Sequence, residues 1–167
     1  CSKELPYDEI IRILDILYQN GVLFLTLTGG DIFVRKDFID IYTYAKKKGF
    51  IVELYTNAAL LDERILAVLK KYPPLLVDIS LYGSCEETYQ RVTGVVGAFG
   101  KVLKNIGLLV EADIRVSLKT PILKLYYSEL DAMKQIAEQY HLPFRTGLEI
   151  FPALENDRSV QQYAVSM

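Results

Sequence analysis

Leu25-Thr26-Leu27-Thr28-Gly29-Gly30-Asp31 is an apolar, β-favouring run that breaks into two glycines and a carboxylate. Gly29 and Gly30 carry no side chain, so the backbone can turn sharply and a ligand can approach it closely. Asp31 then places a charged acceptor at the end of the strand. In α/β proteins, ligands gather at the carboxyl ends of strands. The run reads as a strand over 22–28, apolar enough to be buried on both faces as in a parallel sheet.

Four further apolar runs follow, and each ends in polar residues. Residues 50–55 lead into Thr56-Asn57, 75–81 carry Ser80 and lead into Tyr82-Gly83, and 114–118 lead into Lys119-Thr120-Pro121. The last run, 144–151, is interrupted by Arg145 and Gly147. Helical periodicity fills the gaps. Pro6 opens a helix with Ile10, Ile11, Leu14, Leu17 and Tyr18 on one face, closed by Gly21. Asp37 is placed to cap a second helix, which ends in Lys46-Lys47-Lys48, a solvated end that suits the helix dipole. Asp62 caps a third, stopped by Pro73-Pro74. Ser84 with Glu87 forms a capping box for a short fourth helix. A fifth carries Val102, Ile106 and Leu109, and Ser128 caps a sixth with Met133, Ile136 and Ala137. Strands alternating with helices, without hairpin signals, imply parallel strands joined by right-handed crossovers. Five strands leave two architectures open: a doubly wound sheet or a partial barrel.

Composition narrows the function. The chain has 167 residues, enough for one domain with a sizeable core. A net charge of −2 gives no electrostatic case for nucleic acid or an anionic membrane surface. No apolar run approaches the roughly 20 residues of a membrane helix, and the polar start Cys1-Ser2-Lys3-Glu4 is not a signal peptide. Cys1 and Cys85 are the only cysteines, which suggests no disulfide framework and a cytoplasmic setting. The chain does not begin with Met, which suggests a fragment or a processed product.

The strand ends gather Thr28, Gly29, Gly30 and Asp31, then Thr56 and Asn57, then Ser80 and Tyr82, then Lys119, then Glu149, all on one edge of a parallel sheet. One acid, one base and several neutral hydrogen-bonding groups suit a small zwitterion or a sugar hydroxyl better than a polyphosphate, and no phosphate-cradling glycine motif is present. Each residue also has a plainer reading. The glycine pair can be a tight turn, Asp31 a helix cap, Thr56-Asn57 turn formers and Lys119 a solvated strand end. Cys85 reads as a structural thiol and His141 as an ordinary surface residue.

Taken in order, these landmarks resemble the radical S-adenosylmethionine (radical SAM) superfamily. Leu27-Thr28-Gly29-Gly30-Asp31 resembles its Gly-Gly-Glu-Pro turn, and Tyr55-Thr56-Asn57 its Thr-Asn-Gly strand end. The segments Ile79-Ser80-Leu81-Tyr82-Gly83, Val92-Thr93-Gly94 and Gly97-Ala98-Phe99 resemble the block that follows. The combination looks most like peptide-modifying members (maturases) that carry a cysteine-rich C-terminal (SPASM-type) domain. The resemblance implies a partial (β/α)6 TIM-like barrel, an oxidoreductase core, holding SAM and a [4Fe–4S] cluster at its C-terminal face. It places Gly29, Gly30 and Asp31 at the SAM amino group, and Thr56, Asn57 and Ser80 near the ribose and methionine parts. Lys119 falls at the methionine carboxylate, and Leu148 to Ile150 lie along the adenine. Its implied partners are a peptide or protein substrate and a reductant such as flavodoxin or ferredoxin.

Three departures shape the expectation. The family's Cys-x3-Cys-x2-Cys is absent, and Cys1 is the one cysteine near its place, so Cys1 is the candidate metal ligand. Asp31-Ile32 stands for Glu-Pro, and Asn57-Ala58 for Asn-Gly. The reading is therefore a radical SAM core over 1–152, lacking its first strand and cluster loop and inactive by itself. Residues 153–167 read as a linker toward a missing C-terminal region. The unpaired edge of the 22–28 strand invites self-association. Two alternatives stay open: a cluster-less module that binds a peptide or protein, and an unrelated lyase or aldolase with Lys119 as a Schiff-base residue.

Overall fold

A computed structural model describes residues 4–147 and Tyr163. Helix α1 (Tyr7–Gln19) leads into strand β1 (Phe24–Leu27), a 3-10 turn (Ile32–Val34) and α2 (Phe38–Lys48). Then come β2 (Ile51–Thr56), α3 (Glu63–Lys71), β3 (Leu76–Ser80), α4 (Glu86–Thr93) and α5 (Ala98–Glu111). The described chain closes with β4 (Val116–Pro121), a second 3-10 turn (Tyr127–Glu129), α6 (Leu130–Gln139) and β5 (Phe144–Gly147).

The five strands form one sheet in the order β1-β2-β3-β4-β5, every neighbouring pair parallel. This order decides between the two architectures the sequence left open. Right-handed crossovers between strands that advance in one direction put every helix on the same side. A doubly wound sheet needs a reversal of strand order, and none occurs among the described strands. The alternation of side chains agrees. On one face, Val52 and Leu54, Val77 and Ile79, and Val116 and Leu118 are buried. They join Ile41, Tyr42, Ala45, Ile65, Leu69, Val102, Ile106, Leu109, Met133 and Ala137 from the helices in one core. The other face carries Glu53, Tyr55, Asp78, Ser80, Ser117, Lys119 and Arg145, the polar lining of a partial barrel.

Four expectations shift. Burial of 22–28 on both faces does not hold: the strand is Phe24–Leu27, and Phe24 is 64% exposed. It is the edge strand of the described sheet, so one side of its backbone and its inner-face side chains lack neighbours. Asp37 sits at the N-cap of α2 but makes no cap bond; its carboxylate is engaged with Arg35 at 2.8 and 3.0 Å. The lysine run is not wholly solvated, because Lys48 pairs with Asp15 of α1 at 2.7 Å. Ser128 lies inside the second 3-10 turn and α6 starts after it, so it does not cap that helix.

The expected capping box of α4 is replaced by a longer-range one. Ser84 donates from both its backbone N and its Oγ, at 2.8 Å each, to Glu129 rather than to Glu87. Thr88 Oγ1 donates to the other carboxylate oxygen of Glu129. Burial pushes the Glu129 carboxyl up, but these bonds and Arg91 hold it below its ordinary value. The bracket brings α4 close to Gly83: a Cβ there would lie 2.8 Å from Thr88 Cγ2 and 3.2 Å from the backbone N of Tyr89. Thr88 is buried and tied to Glu129, so it cannot move away. Gly83→Ala should therefore cost about 2 kcal/mol, as overpacking does. Thermal unfolding should show a melting temperature lower by roughly 4–8 °C for a chain of this size.

Candidate functional site

The site begins at the turn after β1. Thr28, Gly29 and Gly30 are exposed, and a Cβ at either glycine would meet nothing within 4 Å. The glycines are thus not demanded by packing; they keep the rim bare so that backbone is presented. A cavity of about 330 Å³ opens beside them, lined by Leu27, Thr28, Asp31 and, from the N-terminal side, Glu4 and Leu5.

Asp31 does two things at once. As N-cap of the first 3-10 turn it accepts from the Phe33 backbone N at 2.9 Å. It also reaches across to the end of β2, accepting from Thr56 Oγ1 at 3.0 and 3.1 Å and from the Asn57 N at 3.1 Å. Both the cap reading and the site reading of Asp31 thus rest on one carboxylate. The Thr56-Asn57 turn is closed further by its own side chains: Ala58 N donates to Thr56 Oγ1 at 2.9 Å and Ala59 N to Asn57 Oδ1 at 2.8 Å. Buried Asn105 of α5 donates to the Ala58 carbonyl at 2.7 Å. Ala58 itself has φ 59° and is fully buried. The position where the resemblance expects glycine does adopt the left-handed conformation that glycine favours.

A second group lies on the inner face of β2–β5. Asp78 is 1% exposed, in the middle of β3. It accepts from Lys119 Nζ at 2.9 Å and from an Arg145 guanidinium nitrogen at 2.9 Å, and Ser117 Oγ donates to it as well. Lys119 Nζ also sits 3.3 Å from the centroid of the Tyr55 ring, a cation–π contact. Parallel register makes the cluster, setting Tyr55 beside Asp78, Asp78 beside Ser117, and Lys119 beside Arg145. Burial alone would push the Asp78 carboxyl up, but Ser117, Lys119 and Arg145 outweigh it and hold the group below its ordinary value. A cavity of about 410 Å³ opens here, lined by Tyr55, Asp78, Ser80, Lys119 and Arg145 among others.

The sequence-derived set is therefore divided. Gly29, Gly30 and Asp31 line one cavity, Ser80 and Lys119 the other, and Thr56-Asn57 lines neither but is bonded to Asp31. Tyr82 packs its ring against Tyr89, 6.0 Å between centroids. Leu148, Ile150 and Cys1 lie outside the described residues. Sequence reading missed Asp78 and Tyr55 as partners of Lys119, and took Arg145 only as an interruption. An aspartate inside an apolar strand was the signal available for the first. A larger opening of about 1040 Å³ lies at the other end of the strands, lined by Pro73, Leu75, Asp113, His141 and Pro143 among others. Ligands of α/β sheets bind at the carboxyl ends, so the two smaller cavities are the candidate site.

Among the described residues no group of three His, Cys, Asp or Glu could hold a metal ion. The sequence has two cysteines, so these residues do not supply three thiolates for a cluster. They do fit a zwitterion, with a bare backbone turn backed by an acid at one end and a cation at the other.

Comparison with known proteins follows the same lines. The profile of the radical SAM superfamily matches residues 2–139. The chain is 30% identical over 148 residues to the AdoMet-dependent heme synthase of Methanosarcina barkeri, covering 86% of this chain and 42% of that protein. It is 32% identical over 129 residues to the antilisterial bacteriocin subtilosin biosynthesis protein AlbA of Bacillus subtilis, covering 77% and 29%. The crystal structure of Streptococcus suis SuiB bound to its precursor peptide SuiA matches with a TM-score of 0.75 at 18% identity, over 86% of this chain and 33% of that one. The chain thus spans less than half the length of each of these relatives. Among the described residues, no single helix is long and apolar enough to cross a membrane.

Asp78 gives the site a pH signature. Its folded pKa lies below its unfolded value of about 3.9. Its stabilising contribution is therefore complete above about pH 5 and is lost progressively as pH falls through the unfolded value toward the lower folded one. Urea unfolding at pH 7 and pH 3 should show a marked acid loss in the native chain. Asp78→Asn should be less stable by about 1 kcal/mol at pH 7, because it removes the charge that Lys119 and Arg145 share while solvent still reaches both cations, and should lose less on acidification.

Proposed function

This chain belongs to the radical SAM superfamily, and we propose that it is the SAM-binding core of a peptide-modifying member. The observation that carries the reading is the pairing of a bare Gly29-Gly30 turn with a cationic patch at Lys119 on the same strand-end edge. SAM has a complementary pair of ends, an ammonium and a carboxylate. The Gly29–Gly30 backbone takes the amino end, with the Asp31 charge behind it. Asp31 acts there mainly by fixing the turn, since its oxygens already accept three donors. Asn57 and Ser80 supply neutral hydrogen-bonding groups for the ribose and methionine parts, while Thr56 holds Asp31. Lys119 takes the carboxylate, and Leu148 and Ile150, outside the described residues, remain the candidates for the adenine.

The [4Fe–4S] cluster of this family, when bound, supplies the electron that cleaves SAM to a 5′-deoxyadenosyl radical. Cys1, outside the described residues, is the candidate for one thiolate of that cluster, and two further thiolates would have to come from elsewhere in the parent protein. That the relatives extend far beyond this chain supports a longer parent, in which 1–152 is core and 153–167 leads onward. A peptide substrate is supported by AlbA and by the SuiA-bound SuiB structure, and a flavodoxin or ferredoxin would serve as reductant. The alternative is a cluster-less module that binds a peptide, which the two-cysteine content favours.

Iron and sulfide content after anaerobic reconstitution separates the two. The full-length protein should hold at least four irons and convert SAM to 5′-deoxyadenosine under dithionite, whereas the 167-residue chain should do neither. A full-length protein without iron would leave the binding module as the reading. The open edge of β1, with Val22, Leu23 and Phe24 exposed, should also make the isolated chain self-associate. Sedimentation showing only monomer at high concentration would remove that expectation.

A further inference from the structure

Lys119 is not a lone cation. Its ammonium is held from below by Asp78 Oδ2 and from the side by the Tyr55 ring. If Asp78 belonged to Lys119 alone, the two would form a neutral pair, and a ligand carboxylate would have to break it. Arg145 changes that count. Its guanidinium occupies the other oxygen of Asp78 at 2.9 Å. One carboxylate then serves two cations in direct contact, and these three charges sum to +1. Glu53 of the same face acts on Arg145 from further off, without an ion-pair contact among the described residues. The two cations differ in exposure: the Lys119 side chain is 28% exposed and that of Arg145 57%. Arg145 has further N–H groups beyond those donating to Asp78 and, at 3.5 Å, Ser117. Asp78 is buried and its three partners come from two other strands, so its position is fixed and Lys119 is fixed with it.

We infer that Asp78 and Arg145 are the positioning residues of a carboxylate receptor centred on Lys119: Asp78 sets where the ammonium sits, and Arg145 keeps it from being neutralised there. The inference rests on the SAM reading and adds what makes Lys119 able to bind an anion. It also gives a role to Arg145, the residue of β5 that faces the sheet's inner side.

The test uses the full-length protein and two ligands, SAM and decarboxylated SAM, which lacks the methionine carboxylate. Dissociation constants come from equilibrium dialysis, and no turnover is needed. Arg145→Gln should weaken SAM about tenfold and leave decarboxylated SAM within twofold, whereas Arg145→Lys should restore most of the loss. Asp78→Asn should weaken SAM as well, and a thermal melt identifies any part of that due to misfolding. Equal losses for both ligands, or no loss in Arg145→Gln, would overturn the inference while leaving the SAM reading intact. Failure of the native protein to bind either ligand would overturn both.

Discussion

A sheet whose strands advance in one direction, each joined to the next by a helix, can be covered on only one face. The rest of this molecule follows from that constraint. The covered face is a continuous apolar layer, with Val52, Leu54, Val77, Ile79, Val116 and Leu118 beneath the helices. Among the described residues no second layer of helices buries the other face, so it tolerates Glu53, Tyr55, Asp78, Ser117, Lys119 and Arg145 in its strands. A doubly wound sheet of the same strands would bury both faces and would have to exclude this set. The polar inner face is thus a consequence of winding, and it is what makes the interior available to a charged ligand.

Three carboxylates then do the fine positioning, and each joins elements far apart in the chain. Asp31 ties the turn after β1 to the end of β2. Asp78 ties β3 to β4 and β5. Glu129 ties the start of α6 to the start of α4. Each accepts three donors or more, which satisfies a partly buried charge and makes the bond set costly to break. All three act at the carboxyl-end side of the sheet or on its inner face. The loops there are held by side chains rather than by backbone ladders, which suits a rim that must leave backbone exposed at Gly29 and Gly30.

Much of the fold was legible because local signals and global winding agree. Strand runs, helical faces and glycine or proline stops recovered every described strand and α-helix but neither 3-10 turn, with boundaries moved by one or two residues at most strands. The misplaced caps share one cause. Asp37, Ser84 and Ser128 have the right chemistry for a helix start, but each found a different fate: Asp37 is held by Arg35, Ser84 by Glu129, and Ser128 sits within a 3-10 turn. Local propensity cannot see such competing partners. The same holds for Lys48, drawn to Asp15 across the α1–α2 contact.

By itself the sequence determined the βα alternation, the polar strand ends, and the landmarks from Gly29-Gly30-Asp31 to Lys119 that carry the family likeness. These are local patterns, written within a few residues of one another. The tertiary structure decided that the sheet winds one way, that Asp31 and Thr56 share a bond across 25 residues, and that Asp78 meets Ser117 across 39. Neighbouring parallel strands are always separated by a crossover, so which side chains face each other depends on register, and register is set only when the strands have paired.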